Sequence, residues 1–188
     1  MKAGDDRIGA ISKLSELEAE WARRLAEAEE RARTSGQSDV ADYLALRTLN
    51  DMARNTGVEW LLATFTAQAG EANRVGGAIV LTHTDAHRFR VGNSTMVGRR
   101  LALSAGVRVL TVEAGWPRTP GDGIVRGGGL AMARISHFGD SRAGVELLLM
   151  QSDEDGAPRW LVLDATGARL SAPLEDECVH RHVARLLH

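Results

Sequence analysis

Apolar residues in the first part of the chain recur at helical spacing. They are separated by steps of three or four residues, and the stripe consists of Leu14, Leu17, Trp21, Leu25, Ala28 and Ala32. Charged residues fill the opposite side, so the pattern predicts one amphipathic helix over residues 8–34. Ser35-Gly36-Gln37 interrupts this helix, and Ser38 is a typical N-cap for a second helix over residues 39–55. Asn55-Thr56-Gly57 then has the composition of a left-handed C-terminal stop.

Beyond Gly57 the pattern becomes typical of strands. Residues 58–67 are apolar and rich in aromatic and β-branched side chains, which favours a strand, although Trp60-Leu61-Leu62-Ala63 also fits a third helix. Further strands are predicted at 78–84, 88–91, 100–104, 107–113, 130–138, 145–151 and 159–164. Turns are predicted at Ala105-Gly106, 152–156 and 164–167. The chain closes with a helix that has Pro173 in its first turn and arginines toward its end.

Together these elements predict an α+β fold. It consists of two N-terminal amphipathic helices, a six- or seven-stranded mainly antiparallel sheet, and a C-terminal helix. We expect residues 1–56 to form a helical arm or subdomain, and residues 57–188 to form a β-rich domain closed by the last helix. The first helix departs from a strict heptad, which favours packing on a globular body or a short homodimer through the N-terminal helices. Trp21 and Leu25 are therefore expected to be buried, in the domain or in such a dimer.

Composition narrows the class of protein. Of the 188 residues, 44% are apolar and 26% are charged, as in globular proteins. No apolar run approaches the roughly 20 residues of a membrane span, and the N-terminus lacks the apolar core of a signal peptide. The single cysteine, Cys178, cannot form an internal disulfide and fits a reducing compartment. We therefore expect a cytoplasmic protein that is not associated with a membrane.

Positive charge is concentrated in the middle of the chain. Residues 88–142 carry nine arginines and three acids, whereas the whole chain has a net charge of −2. If this segment folds onto one face, it forms a surface for an anion or an acidic partner; the alternative is an ordinary solvated surface of paired charges. The residues expected to share that face are Arg88, Arg90, Arg99 and Arg100. Nucleic acid is disfavoured as a partner because the net charge is negative and only Phe89 is interleaved with these arginines.

The segment 115–129 supplies a second group of binding candidates. Its six glycines and two prolines predict a long, mobile loop, and such loops in compact domains are usually functional or disordered. Trp116, Arg118 and Arg126 are suited to stack on and pair with a planar anionic ligand. The alternative is that Trp116 packs back on the sheet and the loop is only a connection.

A divalent metal site is a further hypothesis. His83, Asp85 and His87 alternate along the chain, so on a continuous strand all three side chains would point to one face. However, Asp85-Ala86 resembles the tip of a hairpin, which would separate the two imidazoles. We therefore expect no bound metal.

Two other residue pairs are weak candidates for catalysis. Cys178 and His182 lie one helical turn apart, but the cysteine borders an apolar stripe, as buried structural cysteines do. His137 and Asp140 resemble an oriented general base, but the spacing identifies no nucleophile for it to activate.

The sequence thus predicts a non-catalytic cytoplasmic binding or accessory protein that needs no cofactor. Its arginine-bearing sheet and glycine-rich loop would face an anionic small ligand or an acidic protein partner. One rival hypothesis is a metal-dependent enzyme that uses His83, Asp85 and His87. The other is a nucleic-acid-binding protein.

Overall fold

The computed structural model describes residues 5–151, 157–164 and 170–188, apart from the side chains of residues 5–18 and 170–171. The turns predicted at 152–156 and 165–167 lie outside the described residues. Within the described residues, no helix combines the length and the apolar character that a membrane crossing requires.

Three α-helices and seven β-strands are present in the described part of the chain. They are α1 (Asp5–Thr34), α2 (Ser38–Arg74), β1 (Val80–Val91), β2 (Ser94–Ala105), β3 (Arg108–Trp116), β4 (Ala131–His137), β5 (Asp140–Gln151), β6 (Pro158–Leu163), β7 (Leu170–Pro173) and α3 (Asp176–Leu187). The strands form one sheet in which each pairs antiparallel with its sequence neighbour. The predicted α+β fold is therefore confirmed. Two compact units divide the chain, Met1–Met52 and Ala53–His188.

The first unit is a helical hairpin made by α1 and the start of α2. The connection is tight, with the Gln37 amide donating to the Ala32 carbonyl at 2.9 Å. Leu25 is buried, as predicted. Trp21, in contrast, is 51% exposed within this chain, because its ring packs beneath the Arg47 guanidinium, 5.6 Å from the ring centroid, instead of in an apolar core.

The second unit is built around a core on one face of the sheet, here called the inner face. Residues 53–74 of α2 and all of α3 cover this face. Alternate strand residues point into the core, as the two-residue period of a strand requires. Its largest fully buried side chains are Leu61 and Phe65 of α2, Leu101 and Leu103 of β2, Leu110 and Val112 of β3, Ile135, Leu147, Leu149, and Leu186 of α3. The opposite face is called the outer face below.

The predicted end of the second helix at Asn55-Thr56-Gly57 is wrong, and so is the strand predicted at 58–67. Instead, α2 continues through both segments to Arg74. Gly57 lies inside the helix because the sheet approaches closely there. A Cβ atom on Gly57 would be 2.6 Å from Leu149 Cδ2, and the Gly57 carbonyl accepts a hydrogen bond from Trp160 Nε1 at 2.8 Å. The glycine therefore permits helix–sheet contact and does not terminate the helix.

The sheet departs from the prediction at both edges. The strands predicted at 78–84 and 88–91 are one strand, β1, interrupted by a bulge between Thr84 and His87. At the other edge, Pro173 pairs with Leu161 in β7 and does not open the last helix, which begins at Asp176. Proline is compatible with an edge strand because no ladder partner needs its missing N–H. The hairpin turn at Ala105-Gly106 is confirmed, with Gly106 at a φ of 59°.

Candidate functional site

Three polar residues form a hydrogen-bonded cluster on the outer face, here called the outer cluster: His87 of β1, Glu113 of β3 and Arg134 of β4. Glu113 is at the centre and only 7% exposed. One of its carboxylate oxygens lies 2.6 Å from His87 Nε2, and the other accepts hydrogen bonds from Arg134 Nε at 3.0 Å and Nη2 at 2.5 Å. A buried carboxylate that has a charged partner and several hydrogen bonds is well compensated for lost hydration.

The outer cluster depends on two local features of the sheet. The bulge in β1 shifts the pairing by one residue, so that His87 pairs with Gly98 and turns to the outer face. Gly98 lies on the strand between His87 and Glu113 and has no side chain to separate them. A side chain could not replace it, because a Cβ atom there would overlap the Ala114 carbonyl oxygen. Sequence spacing alone indicates neither the bulge nor this contact across two strands.

Arg134 is held firmly but keeps donors for another group. Of its five N–H bonds, two donate to Glu113, and one on Nη1 donates to the Arg90 carbonyl at 3.3 Å. Within the described residues, one N–H on each terminal nitrogen remains without a hydrogen-bond acceptor. The side chain is 39% exposed, and its guanidinium carbon lies 5.9 Å from the centroid of the Phe89 ring. The arginine therefore has a fixed orientation with its remaining donors accessible.

Arg134 also lines a cleft on the outer face, here called the outer cleft. The cleft has a volume of about 760 Å³. Arg126, from the glycine-rich loop, lines it as well, together with Ser136, Ser141 and the acidic residues Asp140, Glu146 and Asp164. The cleft thus offers guanidinium donors together with hydroxyl and carboxylate oxygens, and its size is that of a small-molecule site.

The glycine-rich segment 115–129 is not the open loop that the sequence predicts. Trp116 is the last residue of β3 and is 5% exposed within the core of the inner face. The Arg118 guanidinium stacks on its ring with 4.0 Å between the guanidinium carbon and the ring centroid. Trp116 therefore packs on the sheet, as the alternative interpretation of the sequence predicts.

The rest of the segment is held by its own hydrogen bonds. It contains two short 3₁₀ helices, Pro120–Asp122 and Arg126–Gly128. Asp122 accepts hydrogen bonds from the amide and hydroxyl of Thr119 at 3.1 and 2.9 Å, and from Arg88 at 2.7 Å. The Thr119 hydroxyl, followed by the amide and then by Arg88, lowers the pKa of the Asp122 carboxyl, although its partial desolvation opposes the shift. Arg126 is thereby placed at the outer cleft, whereas Arg118 lies against Trp116.

The sequence predicts that Arg88, Arg90, Arg99 and Arg100 lie largely on one face, and three of the four do so by strand register. The strand register places the first three with residues of the inner face and Arg100 with those of the outer face. Arg99 lies between two carboxylates, Glu59 at 3.3 Å and Asp85 at 3.6 Å. Neighbouring strand residues such as 99 and 100 must point to opposite faces, so a run of arginines along a strand is divided between them.

The residues proposed as metal ligands are also separated. His83 pairs with Leu101 before the bulge and belongs to the inner face, whereas His87 pairs with Gly98 after it and belongs to the outer face. Ala86 adopts a φ of 53° inside the bulge. Asp85-Ala86, which is expected from the sequence to form a hairpin tip, instead lies in a bulge within one strand. The bulge also places the two imidazoles on opposite faces.

Cys178 and His182 do not act together in this structure. Burial is the main cause that raises the pKa of the Cys178 thiol, so the thiolate is disfavoured. His182 instead faces His137, with 2.9 Å between His182 Nδ1 and His137 Nε2. Asp140, the other partner considered for His137, forms an ion pair with Arg185.

Comparison with known proteins gives no relative for this chain: no family model, no curated protein sequence and no solved structure matches it.

Proposed function

We propose that this chain is a non-catalytic binding protein whose ligand is a small organic anion held in the outer cleft. The observation that supports this most directly is the geometry of Arg134. Glu113 fixes the guanidinium, and two N–H bonds remain for a ligand in the cleft. Pre-oriented guanidinium groups suit carboxylates, because the fork of donors matches two oxygens. Arg126 supplies a second guanidinium beside it.

The other residues of the cleft refine the chemistry of the ligand. Glu146 is the cross-strand partner of Arg134, and Ser136 and Ser141 are nearby on β4 and β5. Their oxygens accept hydrogen bonds from hydroxyl or ammonium groups. We therefore propose an organic acid that carries at least one hydroxyl or amino group. A cleft of about 760 Å³ fits such a molecule better than the flat surface of an acidic protein.

Isothermal titration calorimetry tests this proposal. The intact chain is titrated with malate, tartrate, aspartate and glutamate, and at least one of them should bind. Arg126→Ala and Arg134→Lys should each weaken that binding by about tenfold, the worth of one charge-assisted hydrogen bond. The lysine keeps a positive charge beside buried Glu113, so the fold is not left with an unpaired carboxylate. The control is Arg90→Ala, which removes an exposed arginine outside the cleft lining. Equal weakening by the control, or no binding of any of the four acids, would overturn the proposal.

We also propose that two copies associate through the helical hairpin. Five large apolar residues of α2 are between 45% and 63% exposed: Val40, Tyr43, Leu46, Leu49 and Met52. They follow one another at steps of three, and each step turns the helix by about 300°, so the five spread over about 240° of its circumference. A helix that is apolar around most of its circumference is normally enclosed by several others.

A second copy of the hairpin is the occupant that fits this surface. It would add two helices to the existing two and complete a four-helix bundle. Residues 1–52 contain eleven acidic and eight basic residues, so each copy brings a net charge of only −3 to this association, and residues 19–34 of α1 are neutral as a whole. Together with the single cysteine, these features support a cytoplasmic dimeric binding protein.

A further inference from the structure

A second pocket lies on the inner-face side of the sheet, beside the C-terminal end of α3. Its volume is about 390 Å³, and Arg108 of β3, His137 of β4, Asp140 of β5 and Arg185 of α3 are among its lining residues. It is here called the α3 pocket. Of the residues that line the outer cleft, only Asp140 also lines this pocket.

His137, which lines the α3 pocket, stacks on His182 behind it. The rings of His137 and His182 are 5.2 Å apart between centroids, and the nitrogens that face each other are separated by 2.9 Å. His182 is 8% exposed and lies against Phe65, whereas His137 reaches the pocket wall. One ring nitrogen must donate and the other accept, so the pair is stable only while at least one ring is neutral.

We propose that the α3 pocket is a binding site for a tetrahedral oxyanion, such as phosphate or a phosphate monoester, held by Arg108, Arg185 and His137. Two guanidinium groups and an imidazole around one cavity supply the donors that such an anion requires. The volume leaves room for a small organic group attached to the phosphate.

Two negative groups near this pocket repel an anion: the Asp140 carboxylate and the C-terminal end of α3. Asp140 is negative, but its carboxylate is engaged by Arg185, whose hydrogen bond lowers the Asp140 pKa. The C-terminal end of α3 carries the equivalent of about half a negative charge.

Burial and then nearby charges determine the pKa shifts of the two histidines. Burial, followed by the charges of His137, Arg181 and Arg185, lowers the pKa of His182 to about 4. Burial and then Arg185 lower that of His137, and this outweighs the opposing effect of Asp140. Among the charged neighbours of His137, Arg185 therefore has a larger effect on its pKa than Asp140.

Binding of the anion should be linked to the protonation of His137. Its charged and titratable surroundings are Arg108 of β3, Asp140 of β5, His182 and Arg185 of α3, and His188, which follows α3. The lowered pKa means that the imidazole loses its proton at a lower pH than usual in the empty protein. A bound oxyanion stabilises the protonated form, so it should raise this pKa, and affinity should increase as the pH falls.

The test uses side-chain NMR of the intact chain with sulfate as the probe, because sulfate itself does not titrate in the relevant range. The His137 titration curve is recorded in sodium sulfate and in sodium chloride at equal ionic strength. Sulfate should shift the midpoint to higher pH, and it should bind at least tenfold more weakly to Arg108→Ala. Within the described residues, no carboxylate pairs with Arg108, so this variant breaks no ion pair there. Inorganic phosphate and glycerol 1-phosphate, titrated in parallel, distinguish a free from an esterified ligand.

A second variant of the pocket and one control variant keep the result specific. Arg185→Lys retains a cation beside Asp140 but loses the guanidinium fork, so it should weaken sulfate without unfolding the chain. Arg142→Ala removes an exposed arginine of β5 that does not line the pocket, and it should leave sulfate binding unchanged. An unmoved His137 midpoint in sulfate, or an Arg142→Ala variant that binds as weakly as Arg108→Ala, would overturn the proposal.

Discussion

At the scale of single residues, the neighbours of a side chain decide its role, and Trp116 is the clearest example. The glycines that follow it in the sequence suggest an exposed loop residue. In the structure it completes β3, and its ring is covered by Arg118 on one side and belongs to the apolar core. A role in direct ligand stacking would require the ring to leave that core.

Replacement of Trp116 by alanine should therefore reduce stability. We expect the free energy of unfolding to fall by about 3–5 kcal/mol, as for other buried aromatic residues truncated to alanine. Urea denaturation followed by circular dichroism measures it. Arg118→Ala is the matched control, because it removes the stacked cation but keeps the ring, and it should cost less than about 1 kcal/mol. Similar small losses for both variants would show that the ring contributes little to the core.

Single residues also mark the limit of what the sequence can predict about the site. The candidates Arg126 and His87 could be picked by residue type, and each does lie near a cleft or a polar cluster. The central residue, Glu113, could not, since its partners lie 26 and 21 positions away in sequence. Such contacts depend on strand register, and the one-residue bulge in β1 changes the face of every later residue in that strand.

At the scale of elements, the spacing of apolar residues predicted most of the strands and the helices at both ends of the chain. It failed where tertiary packing overrides the local preference of the sequence. α2 is the main case. Gly57 is unfavourable inside an isolated helix, and the residues after it have the composition of a strand. The helix persists because Val58, Leu61, Leu62 and Phe65 all enter the core of the inner face. Tertiary burial therefore outweighs both local signals.

Substitution of two glycines of α2 by alanine should change the stability of the fold in opposite directions. At Gly57 an added Cβ would meet Leu149 Cδ2 at 2.6 Å, so Gly57→Ala should destabilise the fold by about 1–3 kcal/mol, as overpacked cores do. At Gly70 nothing lies within 4 Å of an added Cβ, so Gly70→Ala should stabilise by about 0.5–1 kcal/mol through helix propensity alone. Thermal and urea unfolding of both variants provide the comparison. A stabilising Gly57→Ala would show that the helix and sheet are not in close contact there.

At the scale of the whole molecule, the two units differ in how completely they bury their apolar residues. The second unit encloses a continuous core between sheet and helices. In the first unit, five large apolar residues of α2 between positions 40 and 52 are exposed. Large exposed apolar groups that are close together usually mark an interaction surface. The exposed apolar residues of the helical hairpin are therefore the reason for proposing a dimer through it.

The dimer prediction can be tested through the mass of the particle in solution. Multi-angle light scattering should give twice the chain mass of 20.3 kDa for the parent protein at micromolar concentration. Leu46→Glu combined with Leu49→Glu should reduce it to that of one chain, because burying two carboxylates per copy costs more than the interface gains. Circular dichroism should show the same helix content, which separates dissociation from unfolding.

The matched control is Val107→Glu, which places the same charge on an apolar residue that is 90% exposed in the turn between β2 and β3. It should remain a dimer. A parent protein with the mass of one chain at every concentration would refute the dimer outright. A dimer that survives both hairpin substitutions would show instead that the copies meet elsewhere. In either case ligand binding in the outer cleft, which lies entirely within Ala53–His188, would stand as a separate question.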